Sequence, residues 1–160
     1  SMIPLDFKIN EEKIIVINGD HPFIKPETIK KLAKIEDATI TVVTTVIPDF
    51  NGWHKNFYQW GKIIRGNGKI TEVLEFKDAD EKTRETAGEV NAAIYAFNGP
   101  WLWKNIKEIS NNNALKEYQL TDIVKLAFEQ REKIDSILIG PREAMGINSK
   151  EELEVAERLA

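Results

Sequence analysis

Cysteine is absent from the 160 residues, which excludes a disulfide framework, a thiolate zinc site and a cysteine nucleophile, and fits a reducing cytosol. Histidine is nearly absent: His21 and His54 are the only two, with no partner at metal-ligand spacing, so a zinc site is not expected. No apolar run approaches the roughly 20 residues that a membrane helix requires, and no basic-then-apolar secretion pattern opens the chain. The expectation is a cytoplasmic chain with no membrane partner. An excess of basic charge is also missing. The 22 basic residues face 26 acidic ones, for a net charge of -4, which argues against a nucleic-acid surface built to neutralise many phosphates. GxSxG, GxGxxG and P-loop motifs do not occur, nor does a Ser/His/Asp order worth pursuing.

What is present suffices for a buried core. Hydrophobic residues make up 42% of the chain, and its length fits one compact domain over 1–160 without repeats or linkers. Ser1-Met2 reads as an expression scar or a displaced start and is left out of the fold reasoning. The run 13–17 (KIIVI) ends in Asn18-Gly19-Asp20, the pattern of a strand buried on both faces that empties into a loop. Pro26 opens a helix over 27–34, and the β-branched run 39–47 (TITVVTTVI) predicts a strand. Residues 48–59 lose the pattern and read as an irregular loop. Strands over 62–65 and 69–76 flank Gly66-Asn67-Gly68 as a hairpin.

Beyond it, a polar helix over 80–86, a strand over 89–97 and helices over 100–109 and 120–131 are expected, the last with its start marked by Thr121-Asp122. A strand over 134–139 follows, then a final helix capped by Ser149 with Glu152 completing a capping box. The alternation predicts a three-layer α/β/α fold around a mixed, mostly parallel sheet, with any ligand site at the carboxyl ends of the strands.

Asp20 ends an apolar strand, where a carboxylate needs solvent, hydrogen-bond donors or a cation. Magnesium would satisfy it with a second oxygen donor from elsewhere, and Asn148 is the candidate. The plain alternatives are that Asp20 bonds loop amides and Asn148 terminates a turn. Glu75 lies between Leu74 and Phe76, so alternation points it away from both, and a solvated strand face is the simpler reading. Asn91 is polar within an apolar strand and demands partners, either a ligand hydroxyl or neighbouring backbone. Trp53, Phe57, Tyr58 and Trp60 line a pocket or simply pack.

Six blocks stand in order: INGD at 17–20, WGKIIR at 60–65, LEFKDA at 74–79, EVNAAIYAF at 89–97, NNNALKEYQLTD at 111–122 and MGIN at 145–148. Together they resemble the distal two-thirds of the bacterial N-acetylglucosamine-1-phosphate uridylyltransferase domain, a sugar-1-phosphate nucleotidyltransferase of the nucleotide-diphospho-sugar transferase fold. The resemblance implies a nucleoside triphosphate and a sugar 1-phosphate as substrates, a nucleotide sugar and pyrophosphate as products, and Mg2+ as cofactor. It assigns Asp20 and Asn148 to the magnesium, and Gly61, Glu75, Asn91 and Thr121 to the sugar-nucleotide pocket, with Asn18 beside them. It also implies N-terminal truncation, because the family's GxGTRM phosphate loop is not in the sequence. The chain alone is then expected to be inactive, to need that segment or a partner chain, and to dimerise through the uncovered edge of the KIIVI strand. Gln119 stands where relatives carry a pocket tyrosine, and Ala93 where they carry glycine. The alternative is a non-catalytic module that binds a nucleotide sugar or assembles with a partner.

Overall fold

The computed structural model describes residues 12–160; Ser1-Met2 lies outside them. Six strands form one sheet: β1 (Lys13–Val16), β2 (Ile40–Val46), β3 (Lys62–Gly66), β4 (Lys69–Leu74), β5 (Glu89–Asn98) and β6 (Ile134–Ile139). Among the described residues six α-helices accompany them: α1 (Pro26–Lys34), α2 (Glu81–Glu85), α3 (Gly99–Asn105), α4 (Asp122–Glu129), α5 (Pro141–Ala144) and α6 (Lys150–Leu159). The sequence pattern locates nearly all of these to within a few residues. It misses α5, a single turn opened by Pro141, and the 3-10 turn Gly52–Phe57 inside the irregular loop.

The sheet is mixed, as expected, but its neighbours are mostly antiparallel. Along the order β4-β3-β5-β2-β6, with β1 also on β5, only β2 and β6 pair in parallel. β1, β2 and β3 each run antiparallel to β5, and β4 runs antiparallel to β3. So β1, β2, β3 and β6 share one direction while β4 and β5 run against it, and β5 separates β2 from β1 and β3. Local pattern cannot show this, because a strand buried on both faces reads the same in either direction.

The three layers follow from which residues each sheet face buries. On one face Val43 of β2, Ile47 just after it, and Val90, Ala92, Ile94 and Ala96 of β5 meet Leu32 of α1, Met145 at the end of α5 and Ala156 of α6. On the other, Ile40 and Val42 of β2, with Tyr95 and Phe97 of β5, meet Leu102 of α3 and Ile123, Val124 and Ala127 of α4. Each such fully buried aliphatic side chain contributes about 1.5–3 kcal/mol. The ends of α6 are set locally: the Ser149 side chain accepts from the Glu152 N–H, and the Glu152 carboxylate accepts from the Ser149 N–H, the expected capping box.

One feature of β5 positions the site. Its edge is shared by two strands that do not meet, β3 bonding at Lys62↔Val90 and β1 resuming at Val16↔Tyr95. On its other edge the register steps from Val42↔Tyr95 to Thr44↔Asn91, so Ala92, Ala93 and Ile94 oppose Val43 alone. The bulge places Ala93 in the left-handed region at φ +54°. A bulge re-aims side chains and interrupts pairing.

Candidate functional site

In the gap between β1 and β3 lies a cavity of about 290 Å³, and its wall includes Asn18, Asp20, Gly61, Glu75, Asn91, Thr121 and Asn148. All seven residues singled out from the sequence therefore stand around one space. Asn18 and Asp20 come from the loop after β1, Gly61 from the entry to β3, Glu75 from the exit of β4, Asn91 from β5, Thr121 from the start of α4, and Asn148 from the turn before α6. For β1 and β4 this is the carboxyl end of the strand. For β3 and β5 it is the amino half, because the reversed β5 runs through the site.

Glu75 departs from what strand alternation alone suggests. β4 stops at Leu74, and the Glu75 carbonyl accepts from the Asp78 and Ala79 N–H groups, so a turn replaces strand alternation there. The side chain enters the cavity wall instead of solvent. Burial pushes its carboxyl above the usual range, Asp122 and Asp78 add to that, and the Thr121 hydroxyl opposes it. Thr121 occupies the N-cap position of α4 without capping it, and its buried Oγ1 has no well-formed hydrogen bond. Gly61 leaves no room for a side chain: a Cβ there would stand 3.0 Å from Val73 Cγ1 and 3.4 Å from Glu75 Oε1.

Asn91 finds its partners inside the bulge. Its Nδ2 donates to the Tyr95 hydroxyl at 2.6 Å, and its Oδ1 accepts from the Ala93 N–H at 3.0 Å. One N–H and one lone pair remain for a ligand. Its own N–H donates to the Gly61 carbonyl at 2.9 Å, which ties β3 to the cavity floor. Tyr95 was not foreseen as part of the site; burial pushes its hydroxyl pKa above the usual range.

Asp20 and Asn148 are brought together by backbone, since the Ile147 N–H donates to the Asp20 carbonyl at 3.0 Å. Asp20 Oδ1 is shut off from solvent with no formed hydrogen bond. Asn148 is exposed, and among the described residues its side chain makes no hydrogen bond. No group of three His, Cys, Asp or Glu among the described residues is placed to hold a metal ion. A carboxylate and an amide oxygen alone suit a hard cation that takes its other ligands from phosphate and water, as magnesium does.

Sequence reasoning also passed over His21 and Gly146, which line the same cavity. The aromatic group divides: Phe57 is fully buried in the core, whereas Trp60 and Gln59 line this cavity and an adjoining cleft of about 730 Å³ that Phe50, Tyr58 and Asn148 also border. Among the described residues no helix is long and apolar enough to cross a membrane.

No family model matches the chain. Curated relatives do: it is 37% identical to the bifunctional protein GlmU of Thermosipho africanus over 98% of its own length and 33% of that protein's. It is 34% identical to the bifunctional protein GlmU of Bdellovibrio bacteriovorus over 93% of its length and 31% of that protein's. The chain thus spans about a third of the curated relatives it matches. Among solved structures, it resembles a CMP:2-keto-3-deoxy-manno-octonic acid synthetase complexed with CTP at a TM-score of 0.57 and 14% identity, covering 95% of this chain and 63% of that one. A Bacillus anthracis structure described as a glucose-1-phosphate thymidylyltransferase, in complex with a sucrose, matches at a TM-score of 0.62 and 18% identity, covering 98% of this chain and 57% of that one. The chain is a homologue of one third of the GlmU proteins, and it has the nucleotide-diphospho-sugar transferase-like fold.

Proposed function

We propose that these residues are the sugar-holding, distal part of the catalytic domain of a nucleotidyltransferase. The complete protein joins a nucleoside triphosphate and a sugar 1-phosphate into a nucleotide sugar, UDP-N-acetylglucosamine, and releases pyrophosphate. The observation that supports this most is the convergence of the seven residues, from six separated segments, on one cavity.

In this reading a sugar-phosphate oxygen forms a bond to the α-phosphorus as the bond to the leaving pyrophosphate breaks, and no side chain becomes covalently attached. The protein's work is positioning and charge neutralisation. Glu75, the spare capacity of Asn91 and the Thr121 hydroxyl bind sugar hydroxyls, while the missing side chain at Gly61 leaves the Glu75 carboxylate the room it needs. Asp20 and Asn148 would hold one Mg2+, which supplies charge neutralisation to the phosphate oxygens. Since no GxGTRM-like segment occurs in the 160 residues, we infer that they bind the product weakly and need that segment, in cis or from a partner chain, for turnover. The reading includes a cytoplasmic protein and a homodimer through β1, whose only pairing among the described residues is with β5; light scattering at high concentration tests the dimer.

Ala93, held at φ +54° where glycine would sit unstrained, favours as the second reading a module that binds a nucleotide sugar without catalysis. Nuclear magnetic resonance on the isotope-labelled chain tests the shared premise. UDP-N-acetylglucosamine with Mg2+ is expected to shift the amides of residues 18–20, 61, 91–93, 121 and 146–148, and shifts confined to other surfaces would overturn it.

A further inference from the structure

His21 is unusual for a histidine: only 8% of its surface is exposed, and among the described residues both buried ring nitrogens find no hydrogen-bond partner. Its Nδ1 stands 3.0 Å from Asp20 Oδ1, which is itself sealed from solvent and unpartnered. Three such atoms on consecutive residues are costly to bury. Stability alone would favour an apolar residue at 21. The ring is confined on its other side by Trp60, edge-on with centroids 6.4 Å apart.

The surroundings divide the two Asp20 oxygens. Oδ1 faces the imidazole and is inaccessible, so the accessible oxygen of this cavity-lining carboxylate is Oδ2. Oδ2 lies on the Gly146 side, where a Cβ would stand 3.3 Å from it. The Ile147 N–H meanwhile holds the Asp20 backbone through its carbonyl at 3.0 Å. Backbone and one oxygen are thereby restrained, and the second oxygen is left open.

We propose that His21 is a positioning residue, its imidazole Nδ1, 3.0 Å from Asp20 Oδ1, closing that oxygen off so that Oδ2 is the one offered to a divalent cation. The inference rests on the metal assignment to Asp20 made above and extends it to a residue with no assigned part. Partners that orient a ligating carboxylate are worth roughly 10–100-fold in metal affinity.

Mn2+ in the presence of UDP-N-acetylglucosamine, followed by electron paramagnetic resonance of the free ion, measures this without turnover. His21→Leu is expected to weaken Mn2+ binding about ten-fold while its urea midpoint stays level or rises, since two unpartnered nitrogens are gone. His21→Asn, whose Nδ2 can stand near the place of Nδ1, is expected to retain affinity to within about three-fold. Mn2+ affinity unchanged in a folded His21→Leu overturns the positioning role alone, as does a folded His21→Asn that binds as weakly as Leu. If His21→Leu does not fold, the Asn variant decides by itself, retention supporting the role and loss overturning it. Absence of any Mn2+ binding by the unaltered chain that Asp20→Ala abolishes overturns the metal reading and this inference together.

Discussion

The backbone N–H of Ile147 donates to the backbone carbonyl of Asp20 at 3.0 Å. This one bond joins the loop after β1 to the turn before α6, elements near opposite ends of the described chain. It explains how an acid and an amide so distant in sequence can border one cavity, and it leaves both side chains unconstrained by the contact. The arrangement makes the Asp20 region sensitive to small changes in the 146–148 turn.

Gly146→Ala is the sharpest such change. The added Cβ would stand 3.3 Å from Asp20 Oδ2 and 3.8 Å from Trp60 Cζ2, so carboxylate or turn must give by a few tenths of an ångström. The fold should survive. Mg2+-dependent affinity for UDP-N-acetylglucosamine is expected to fall about ten-fold, measured by calorimetry with circular dichroism as the control.

Ala93→Gly should stabilise the protein. A left-handed alanine costs roughly 1–2 kcal/mol, offset in part by glycine's greater freedom when unfolded. The net expectation is a gain of about 0.5–1 kcal/mol, seen as a higher urea midpoint at unchanged slope. An equal or lower midpoint would mean that the φ of +54° is not retained.

Glu75→Gln separates stability from binding. Burial, with Asp122 and Asp78, raises the Glu75 pKa above its usual 4.5, so between 4.5 and the raised value the folded state binds more protons than the unfolded state. Wild-type stability therefore falls as pH rises through that window, and the glutamine variant lacks this loss. It is expected to be the more stable protein at neutral pH, with the difference vanishing below pH 4.5. Affinity for the nucleotide sugar should drop about ten-fold, as for a lost hydrogen bond to a charged group.

Lys62→Met tests a buried amine that has no carboxylate partner among the described residues. Lys62 is 6% exposed, its Nζ has no hydrogen bond, and it lies 4.6 Å from the centre of the Phe50 ring. Burial lowers its pKa below the usual 10.5. The unfolded state then binds more protons between the lowered value and 10.5, so wild-type stability rises with pH across that window. Methionine should stabilise by about 1 kcal/mol at neutral pH, even after loss of the cation–π contact. The advantage should disappear as pH approaches 10.5 in urea titrations.

Much of the fold was legible because its signals are local. The β-branched run 39–47 predicts a strand, and β2 spans Ile40–Val46, whereas β1, expected to be buried on both faces, is only half-buried. Ser149 and Glu152 announce α6 three residues apart. What escaped depends on distant partners. The reversed direction of β5 leaves no local trace, and α5 is too short for periodicity. Alternation alone points Glu75 to solvent, since it carries no mark of where a strand stops; the resemblance assigns it to the pocket, and the turn after Leu74 turns it inward. The site residues themselves were gathered by block order and resemblance, since no spacing rule connects Asp20 with Asn148. Asn91 kept both of its readings open, and the bulge uses half of its capacity. His21 was invisible as a site residue because its role depends on which oxygen of Asp20 it faces.

Calorimetric titration of the chain with UDP-N-acetylglucosamine, with and without Mg2+, in the wild type and in Asp20→Ala, tests the central claim most directly. The account predicts that Mg2+ strengthens wild-type binding by about ten-fold or more and has no effect on the variant. An Asp20→Ala protein that keeps the full Mg2+-dependent affinity would contradict it.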